Sequence, residues 1–357
     1  MILKTRFGFA FVFLLAFCPL VLSGADVPQS DSDSAGIQDA ISMVYPALVQ
    51  IHVVIPDYGT GRAQKFEAAG SGVIISQDGY VVTNHHVAGR AAAIRCVLTS
   101  RQELDAKLIG TDALTDIAVL KLDLSGVPAL QGKLPYAKFG NTDALKIGDV
   151  VFAMGCPLAL SQSVTKGIVA NKDMVFSSRF TGSMILDGED VGLLVKWIAH
   201  DAQILPGNSG GPLVNAQGEI VGINEINVGG LFGAGLGGAI PVELAQYVSQ
   251  ELIQKGHVDR SWIGADFQPL LKSSSIQDGV LLSGVVPDSP AQKAGLKAGD
   301  VVKTLDGKPV RVQFREELPL LNRMILSHPV GSMVELTYSR DGKEGTASVK
   351  TSLREEA

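Results

Sequence analysis

The sequence predicts a mostly β protein whose longer, amino-terminal part consists of short strands and tight turns. Forty of the 357 residues are glycine, and hydrophobic residues make up 46% of the chain. Many turn residues together with abundant Val, Ile and Leu suit β-barrels. Two β-branched or aromatic stretches, Val73–Ile75 and Tyr80–Val82, flank Asp78-Gly79 and predict a hairpin. Similar short strands continue to about Pro241.

Residues 1–25 are predicted to be a signal peptide. Lys4 and Arg6 form a basic start, Phe9–Leu22 has the length of a signal core, and Ser23–Ala25 offers small residues for cleavage. Because a spanning helix needs about 20 apolar residues, no stable membrane span is expected after cleavage. The alternative is a retained anchor, which would leave the protein membrane-associated. Either way, we expect a periplasmic or otherwise exported protein.

Charge and cysteine content exclude other classes of function. Lys and Arg total 30 against 36 Asp and Glu, with no basic cluster, so nucleic acid is not an expected partner. No Cys or His spacing resembles a metal site, so no metal is expected. Cys96 and Cys156 either form a disulfide or remain two buried thiols. The small polar residues 26–36 predict a flexible leader.

The segment GNSGGPLVN, Gly207 to Asn215, carries the strongest chemical signal. Its glycines permit a tight turn around Ser209 and a close approach of a substrate carbonyl. A serine hydroxyl becomes an effective nucleophile when a base removes its proton and fixed donors hold the oxyanion. The backbone N–H groups of Gly207 and Ser209 are the candidate donors. By itself, the segment is also compatible with a surface turn.

Two upstream segments supply a candidate base and a candidate carboxylate. His86 follows the second strand of the predicted hairpin, where a loop can present its ring to a cleft. Asp116 immediately precedes the apolar run Ile117–Leu120, which predicts a buried strand. A carboxylate at the mouth of such a strand suits orienting an imidazole through its Nδ1–H. The chain order His86, Asp116, Ser209 is that of chymotrypsin-type double barrels.

With these motifs the chain resembles the HtrA/DegP family of serine proteases. TNHHV, TDIAVLK and GNSGGPLVN resemble the family's catalytic His, Asp and Ser motifs, while GDVVFAMGCPLALSQSVTKGIVA and GGAIPVELA resemble its intervening segment and the end of its protease domain. The resemblance covers nearly all of the chain after the signal peptide. It implies a chymotrypsin-like double six-stranded β-barrel over residues 37–258 and a PDZ domain of the α+β type over residues 259–357.

The resemblance also assigns roles to individual residues. It implies His86 as base, Asp116 as orienting carboxylate, Ser209 as nucleophile, and the N–H groups of Gly207 and Ser209 as oxyanion hole. Adjacent residues near a strand end point in different directions, so His85 is not expected to share the role of the base. The family more often has Asn or Ala at that position. Asp112 fits a turn residue or strand cap better than the catalytic carboxylate.

The carboxyl-terminal part resembles a PDZ domain of bacterial proteases. A helix over Val242–Lys255, ended by Gly256, is predicted to precede it. Further helices are predicted from Pro290 to Gly295 and over Glu316–Leu326. PDZ domains bind an extended carboxyl-terminal segment along a strand edge. The loop that aligns with the family's carboxylate-binding loop consists of Trp262, Ile263, Gly264 and Ala265. Alternatively, Trp262 and Ile263 only pack the core of the domain.

The expected specificity pocket departs from the family at Leu205, where Asn is common, and at three further positions. Gln203, Glu225 and Gly238 stand where a small residue, Thr and an aromatic residue, respectively, are common. Glu225 would favour a cationic or polar substrate residue if it points inward, and it has no such effect if it faces solvent. Residues 177–197 fit the family's regulatory-loop region poorly, and their glycines suggest mobile turns able to order or disorder the oxyanion hole.

The resemblance implies an exported, ATP-independent serine endopeptidase of protein quality control, without a cofactor. Its partners would be unfolded or misfolded proteins and peptides, and its assembly a homotrimer or larger homo-oligomer. The alternative is a chaperone or PDZ adaptor whose protease site is idle. A digestive protease of narrow specificity is disfavoured by the PDZ domain.

Overall fold

The computed structural model describes residues 31–57, 64–156, 162–175, 185–227, 235–270 and 278–354. The predicted signal peptide and the first part of the leader lie outside these residues. Helix α1 (Asp31–Val44) begins within the expected leader and includes residues 31–36. The carboxyl-terminal half of α1 packs against the barrel, and its Ala40 and Val44 are buried in the core. In the described ranges, no helix has both the length and the apolarity needed to cross a membrane.

Six antiparallel strands close the first barrel in the order β1-β2-β3-β6-β5-β4. They are β1 (Leu48–Asp57), β2 (Gln64–Ile74), β3 (Tyr80–Thr83), β4 (Ala93–Leu98), β5 (Glu103–Asp112) and β6 (Ile117–Leu122). The hairpin predicted at Asp78-Gly79 joins β2 to β3, and Val73 pairs with Val82 across it. The φ angle of Gly79 is 94°, in the left-handed region where glycine is at no disadvantage.

The second barrel closes in the order β11-β14-β13-β12-β7-β8. The strands of this part of the chain are β7 (Val150–Gly155), β8 (Ser163–Met174), β9 (Ile185–Leu186), β10 (Glu189–Asp190), β11 (Trp197–His200), β12 (Pro212–Asn215), β13 (Ile220–Asn227) and β14 (Gly237–Pro241). Strands β9 and β10 form a separate short hairpin. The predicted double six-stranded barrel is therefore confirmed.

Two helices complete the double barrel. Short α2 (His85–Ala88) follows β3, and α3 (Val242–Lys255) follows β14. The bounds predicted for α3 are confirmed, and Gly256 ends it with a φ angle of 82° while its N–H donates to the carbonyl of Leu252. The buried face of α3 packs against β5 and β6, so a helix that follows the second barrel covers the first.

The carboxyl-terminal sheet has the main strand order β16-β17-β18-β20-β21. Its elements and their neighbours are β15 (Ser261–Trp262), β16 (Ala265–Gln268), β17 (Val280–Val285), α4 (Pro290–Lys293), β18 (Val301–Leu305), β19 (Lys308–Pro309), α5 (Leu318–Leu326), β20 (Met333–Arg340), β21 (Lys343–Lys350) and β22 (Ser352–Leu353). Both predicted helices are present. Ser289 caps α4 by accepting the N–H of Gln292, and Pro319 lies in the first turn of α5, where the missing N–H costs little.

Two ion pairs, one buried and one part-buried, connect the PDZ region to the first barrel and to the hairpin formed by β9 and β10. Arg260 donates to Asp112 Oδ2 at 2.6 Å, and Arg354 donates to Glu189 Oε1 at 2.6 Å. Asp112 also accepts a hydrogen bond from the hydroxyl of Thr115. Asp112 therefore links the end of β5 to the PDZ region, which the sequence did not indicate. The domain boundary at residue 258 stays a prediction.

Cys96 and Cys156 are free thiols, and both are buried. Burial, with a smaller contribution from the charge of Asp105, raises the pKa of Cys96 to about 12. Burial also raises the pKa of Cys156 to about 11, against a smaller opposing effect of a hydrogen bond with Ser71. Of the two alternatives for this pair, separate buried thiols are observed, and both are uncharged near neutral pH.

Candidate active site

His86 and Asp116 are in direct contact. His86 belongs to α2, which follows β3, and Asp116 lies in the turn before β6. Because β3 pairs with β6, Thr83 lies opposite Ala118 and the two functional segments emerge side by side. His86 Nδ1 lies 2.7 Å from Asp116 Oδ2, and the backbone N–H of His86 donates to Asp116 Oδ1 at 2.9 Å.

The backbone around Asp116 fixes the direction of its carboxylate. Its φ angle of 54° lies in the left-handed region, which Asp tolerates better than most residues. Its carbonyl accepts a hydrogen bond from the Asn84 side chain at 2.9 Å and another from the backbone N–H of His85 at 3.1 Å. The Asp116 side chain has no solvent-exposed surface. The carbonyl of Asp116 is therefore held by two donors, and its buried carboxylate is held by the backbone and the ring of His86.

The imidazole of His86 has one nitrogen engaged and one available. A carboxylate only accepts hydrogen bonds, so Nδ1 must carry the proton that it shares with Asp116, and Nε2 is the free basic nitrogen. Burial lowers the pKa of His86, but the charge and the hydrogen bond of Asp116 outweigh it, so the pKa lies above the ordinary value of 6.5. The side chain is 35% exposed, which leaves the ring accessible from the cleft.

His85 points away from this carboxylate. Its Nδ1 lies 2.6 Å from the Thr111 hydroxyl, and its Nε2 lies 2.8 Å from Asp187 Oδ2 in the hairpin formed by β9 and β10. Burial, the largest effect, lowers the pKa of His85 despite the nearby charge of Asp116. A neutral ring satisfies both contacts when Nε2 donates and Nδ1 accepts. The structure thus separates the two adjacent histidines as the sequence predicts.

The turn that carries Ser209 fits closely against the first barrel. Gly207 and Gly210 have φ angles of 102° and 84°. A Cβ atom at Gly210 would collide with the Ser71 carbonyl oxygen and the Thr83 hydroxyl, and it would lie 3.1 Å from Asn84 N. Only glycine fits this position, because it has neither the side chain that would clash nor the cost of a positive φ. The turn therefore lies beside the residues that precede α2.

The Ser209 hydroxyl donates to the backbone carbonyl oxygen of Glu225 at 3.0 Å, rather than to His86. The N–H groups of Gly207 and Ser209 differ from their neighbours, since neither donates to an acceptor among the residues that the structure describes. By contrast, the N–H groups of Asn208, Gly210 and Gly211 all donate to backbone carbonyls. An oxyanion hole requires backbone N–H donors of this kind, and these two lie on either side of Asn208.

Comparison with known proteins shows the same two-part organisation. The family model of a trypsin-like peptidase domain matches residues 70–223, and that of a PDZ domain matches residues 261–351. A relative from Pseudomonas savastanoi pv. phaseolicola, named "Probable periplasmic serine endoprotease DegP-like", is 40% identical over 305 residues, which are 82% of this chain and 58% of the relative. A relative of the same name from Chlamydia trachomatis is 39% identical over 79% of this chain and 54% of its own length.

The chain matches solved structures over a larger share of their length than it matches these two relatives. The HtrA-type protease AlgW with a tripeptide is 30% identical, has a TM-score of 0.75, and is matched over 97% of its length and 89% of this chain. The chain belongs to the HtrA/DegP family of serine proteases. The serine endoprotease from Yersinia pestis is also 30% identical, with a TM-score of 0.66. The chain spans little more than half the length of the curated family members it matches.

Ser71 supports the serine turn in this HtrA/DegP protein, a role that the sequence did not predict. Its N–H donates to the carbonyl of Ser209 at 2.9 Å, and its hydroxyl donates to the carbonyl of Gly207 at 2.6 Å. The same hydroxyl accepts the N–H of Cys156 at 2.7 Å. Ser71 therefore fixes two carbonyls of the turn whose N–H groups are unused. The available signal was a polar residue between two glycines, just before the predicted hairpin.

Three of the departures from the HtrA/DegP pattern lie in different surroundings. The side chain of Glu225 is buried and accepts a hydrogen bond from Trp197, which excludes the solvent-facing alternative. Gln203 is exposed, and its carbonyl accepts the hydroxyl of Thr165 at 2.9 Å. Gly238 is buried on β14, opposite Ala199. Of these three, Glu225 is therefore the departure nearest to Ser209.

The predicted carboxylate-binding loop lies beside a groove in the PDZ region. Ile263 is 2% exposed and belongs to the core, while Gly264 has a φ angle of 73° and precedes β16. The groove runs between β16 and α5, with Trp262 at one end. Leu193, from the protease part of the chain, also lines this groove, and its carbonyl accepts a hydrogen bond from Asn322 of α5 at 2.9 Å.

Proposed function

We propose that this chain is an exported serine endopeptidase that cleaves unfolded or misfolded proteins without ATP. The observation that carries the proposal is the pair of hydrogen bonds from His86 to Asp116. It is joined by the turn of Ser209, in which the N–H groups of Gly207 and Ser209 donate to no acceptor among the described residues. An oriented imidazole, a serine and an oxyanion site are the three components of acyl transfer by serine proteases.

Each group has one task in the proposed reaction. The Ser209 hydroxyl rotates from the Glu225 carbonyl to His86 Nε2, which removes its proton as the oxygen attacks the scissile carbonyl. Asp116 holds the imidazole in the required tautomer and stabilises the imidazolium. The N–H groups of Gly207 and Ser209 bind the oxyanion of the tetrahedral intermediate. His86 then protonates the leaving amine, and a water molecule activated by the same ring hydrolyses the acyl-enzyme.

The proposed substrates and partners extend beyond the local geometry. Unfolded chains present extended backbone, and the PDZ groove would bind their carboxyl-terminal segments by adding a strand to β16. The names of the family members support a periplasmic location, and the solved AlgW complexes contain peptides. A homotrimer or larger homo-oligomer belongs to the proposal on the basis of family membership.

The decisive experiment compares the wild type with Ser209→Ala in cleavage of an unfolded protein such as casein. We expect a loss of turnover of about 10⁴-fold or more, because removal of the nucleophile leaves only weak residual catalysis. His85→Asn is the matched control, since the ring of this adjacent histidine contacts Thr111 and Asp187 and not the Asp116 carboxylate, and it should retain most activity. Comparable cleavage by Ser209→Ala, purified free of host proteases, would reject the assignment.

One observation favours a second candidate, a chaperone or PDZ adaptor with an idle protease site. Ser209 donates to the carbonyl of Glu225 and not to the base, which is the arrangement of a resting hydroxyl. A fluorophosphonate probe separates the two candidates, because labelling requires an activated serine. Labelling that disappears in both Ser209→Ala and His86→Ala supports the endopeptidase. An unlabelled protein that still suppresses aggregation of an unfolded client supports the adaptor.

A further inference from the structure

Glu225 is a buried acid at the edge of the candidate site. It lies on β13 at a bulge, where the strand register shifts between Asn224 and Ile226. The residue is only 6% exposed, and its Oε2 accepts a hydrogen bond from the indole N–H of Trp197, which is fully buried. Withdrawing an ionised carboxylate from water in this way is costly unless strong compensation is present.

The groups around Glu225 oppose its ionisation. Strands β12 and β14, which pair with β13, carry no ionisable side chain. On β11, burial lowers the pKa of His200 to about 4, and just after β7, burial raises the pKa of Cys156 to about 11, so both are uncharged between these values.

Strand β8 carries Lys166, Lys172 and Asp173, and Lys196 precedes β11. Lys196 pairs with Asp173 at 2.6 Å, and Lys172 donates to the carbonyl of Asp143 at 3.2 Å. Helix α3, which also packs against β13, contributes Glu243, which accepts the N–H of Thr142 at 2.6 Å. The first barrel contributes His86 and the carboxylate of Asp116. Among the described residues, none of the ion pairs includes Glu225.

These surroundings determine the direction in which the pKa of Glu225 is shifted. Burial first, and the negative charge of Asp116 second, raise the pKa of the Glu225 carboxyl well above its ordinary value of 4.5. The hydrogen bond from Trp197 acts in the opposite direction and is the smallest of the three effects. Two carboxyl groups that share one buried region cannot easily both be ionised. Asp116 holds two hydrogen bonds from His86, so Glu225 is the one that keeps its proton.

The backbone of Glu225 connects this acid to the nucleophile. Its carbonyl oxygen accepts the Ser209 hydroxyl at 3.0 Å, and the carbonyl of Asn224 accepts the N–H of Gly210 at 2.8 Å. The bulge therefore supports the serine turn through two consecutive carbonyls. A change of charge on the Glu225 side chain acts on the same short segment that supports Ser209.

We propose that Glu225 acts as an uncharged carboxylic acid that positions Ser209 and leaves Asp116 as the only anion of the site, and that loss of its proton inactivates the enzyme. This inference rests on the proposed function, since it assigns a positioning residue to that reaction. The neutral acid accepts from Trp197 with one oxygen and has an O–H donor on the other. With Glu225 neutral, the field of Asp116 acts on His86 alone and stabilises the imidazolium.

The proposal gives the pH dependence of both activity and stability a definite sign. A carboxyl group whose pKa is raised in the folded state contributes to the free energy of unfolding. The contribution is complete at pH values below the pKa of the unfolded state, and it is lost as pH rises through the pKa of the folded state. Activity should therefore have two limbs. Protonation of His86 ends it at the acid side, and ionisation of Glu225 ends it at the alkaline side.

The kinetic test uses the isosteric variant Glu225→Gln. An amide reproduces the acceptor and the donor of the neutral acid but cannot ionise. We expect kcat/KM near neutral pH to stay within about threefold of wild type, and the alkaline fall, about tenfold per pH unit in wild type, to disappear. Glu225→Thr, which restores the residue common in the family, should also lack the alkaline limb. A Glu225→Gln enzyme reduced 100-fold or more at neutral pH while folded, or an alkaline limb equal to that of wild type, would overturn the proposal.

A spectroscopic test does not depend on turnover. The chain has only two tryptophans, so full-length Ser209→Ala/Trp262→Phe protein leaves Trp197 as the sole indole reporter. Its emission should change with pH as the adjacent carboxyl ionises, and adding Glu225→Gln should remove that transition. A transition that persists with Glu225→Gln contradicts the proposal, even if the enzyme cleaves. If no form of the protein cleaves, the proposed function fails, while the emission titration still decides whether Glu225 holds its proton.

Discussion

His86 donates two hydrogen bonds to Asp116, one from the ring and one from its own backbone, to different oxygens of the same carboxylate. The backbone contact fixes the start of α2 relative to the turn before β6, and the ring contact fixes the tautomer. Orientation of the base therefore depends on the backbone of the first barrel as well as on a side-chain pair.

Asp116→Asn should lower kcat by roughly 10⁴-fold while the protein stays folded, because an amide of the same shape no longer enforces the tautomer that leaves Nε2 basic. Single-turnover kinetics on an unfolded substrate will measure the loss. Asp123→Asn is the matched control, since that carboxylate caps an exposed turn by accepting the N–H of Ser125. Similar activity of the two variants would exclude Asp116 from the reaction.

The acid limb of activity should lie above the ordinary histidine range. Asp116 raises the pKa of His86 above 6.5 against the opposing effect of burial. Since the protonated ring cannot accept the serine proton, kcat/KM should fall as pH drops through this raised pKa. Protonation of His86 affects stability in the opposite direction to activity. The raised pKa of His86 contributes to the free energy of unfolding fully below the pKa of the unfolded state, and this contribution is lost as pH rises through the pKa of the folded state. A rate that does not change with pH between about 5 and 8 would contradict a histidine base.

Ser71→Ala should reduce kcat more than it changes KM. The substitution removes the hydroxyl that donates to Gly207 O and accepts from Cys156 N, so two buried backbone groups lose a partner at a cost of about 1–3 kcal/mol each. We expect kcat to fall roughly 10- to 100-fold, because the N–H groups of the turn lose their fixed direction. Affinity for a peptide aldehyde, which forms a tetrahedral adduct with the serine, should fall in parallel. Exposed Ser42→Ala provides the control.

Arg260→Ala should loosen the PDZ region from the barrels. It would leave the Asp112 carboxylate, with a side chain 3% exposed, buried without its cation, and breaking such a pair costs about 3–5 kcal/mol. Hydrogen exchange should therefore increase at the end of β5 and around residue 260. Arg311→Ala removes a mostly exposed pair with Asp278 in the same region and should cost less than about 1 kcal/mol. Equal effects of the two variants would mean that the buried pair contributes nothing to docking.

Peptides with a free carboxyl terminus should bind the PDZ groove at least tenfold more tightly than their amidated forms. Charge-assisted hydrogen bonds are worth roughly 1.5–3 kcal/mol each, and about 1.4 kcal/mol corresponds to a tenfold change in affinity. Calorimetry on full-length Ser209→Ala, with peptides that end in Val, Leu or Phe, measures the difference. Equal affinities would leave the loop from Trp262 to Ala265 without a role in carboxylate binding.

Local signals in the sequence were sufficient for the elements and for the approximate site. The Asp78-Gly79 turn, the glycine after α3 and the apolar run after Asp116 each specify a conformation within a few residues. The approach of His86 to Asp116, expected from the resemblance, depends on the pairing of β3 with β6.

Contacts between distant segments could not be predicted in this way. The hydroxyl of Ser71 meets a carbonyl 136 residues away, and no local pattern encodes that hydrogen bond. The inward direction of Glu225 depends on the bulge in β13, because a one-residue shift of register turns a side chain to the other face of the sheet. The contact of Asp112 with Arg260 depends on how the PDZ region docks on the barrels.

The division of the candidate groups between two barrels has a consequence for biosynthesis. His86 and Asp116 belong to the first barrel, whereas Ser209 precedes β12 in the second and needs β13 to support its turn. Domains fold as units while the chain emerges from its amino-terminal end. A half-made chain therefore contains an oriented base without a nucleophile and cannot cut its own unfolded remainder. In the proposed mechanism, the three catalytic groups come together only after β14 has closed the second barrel, when both barrels are already folded.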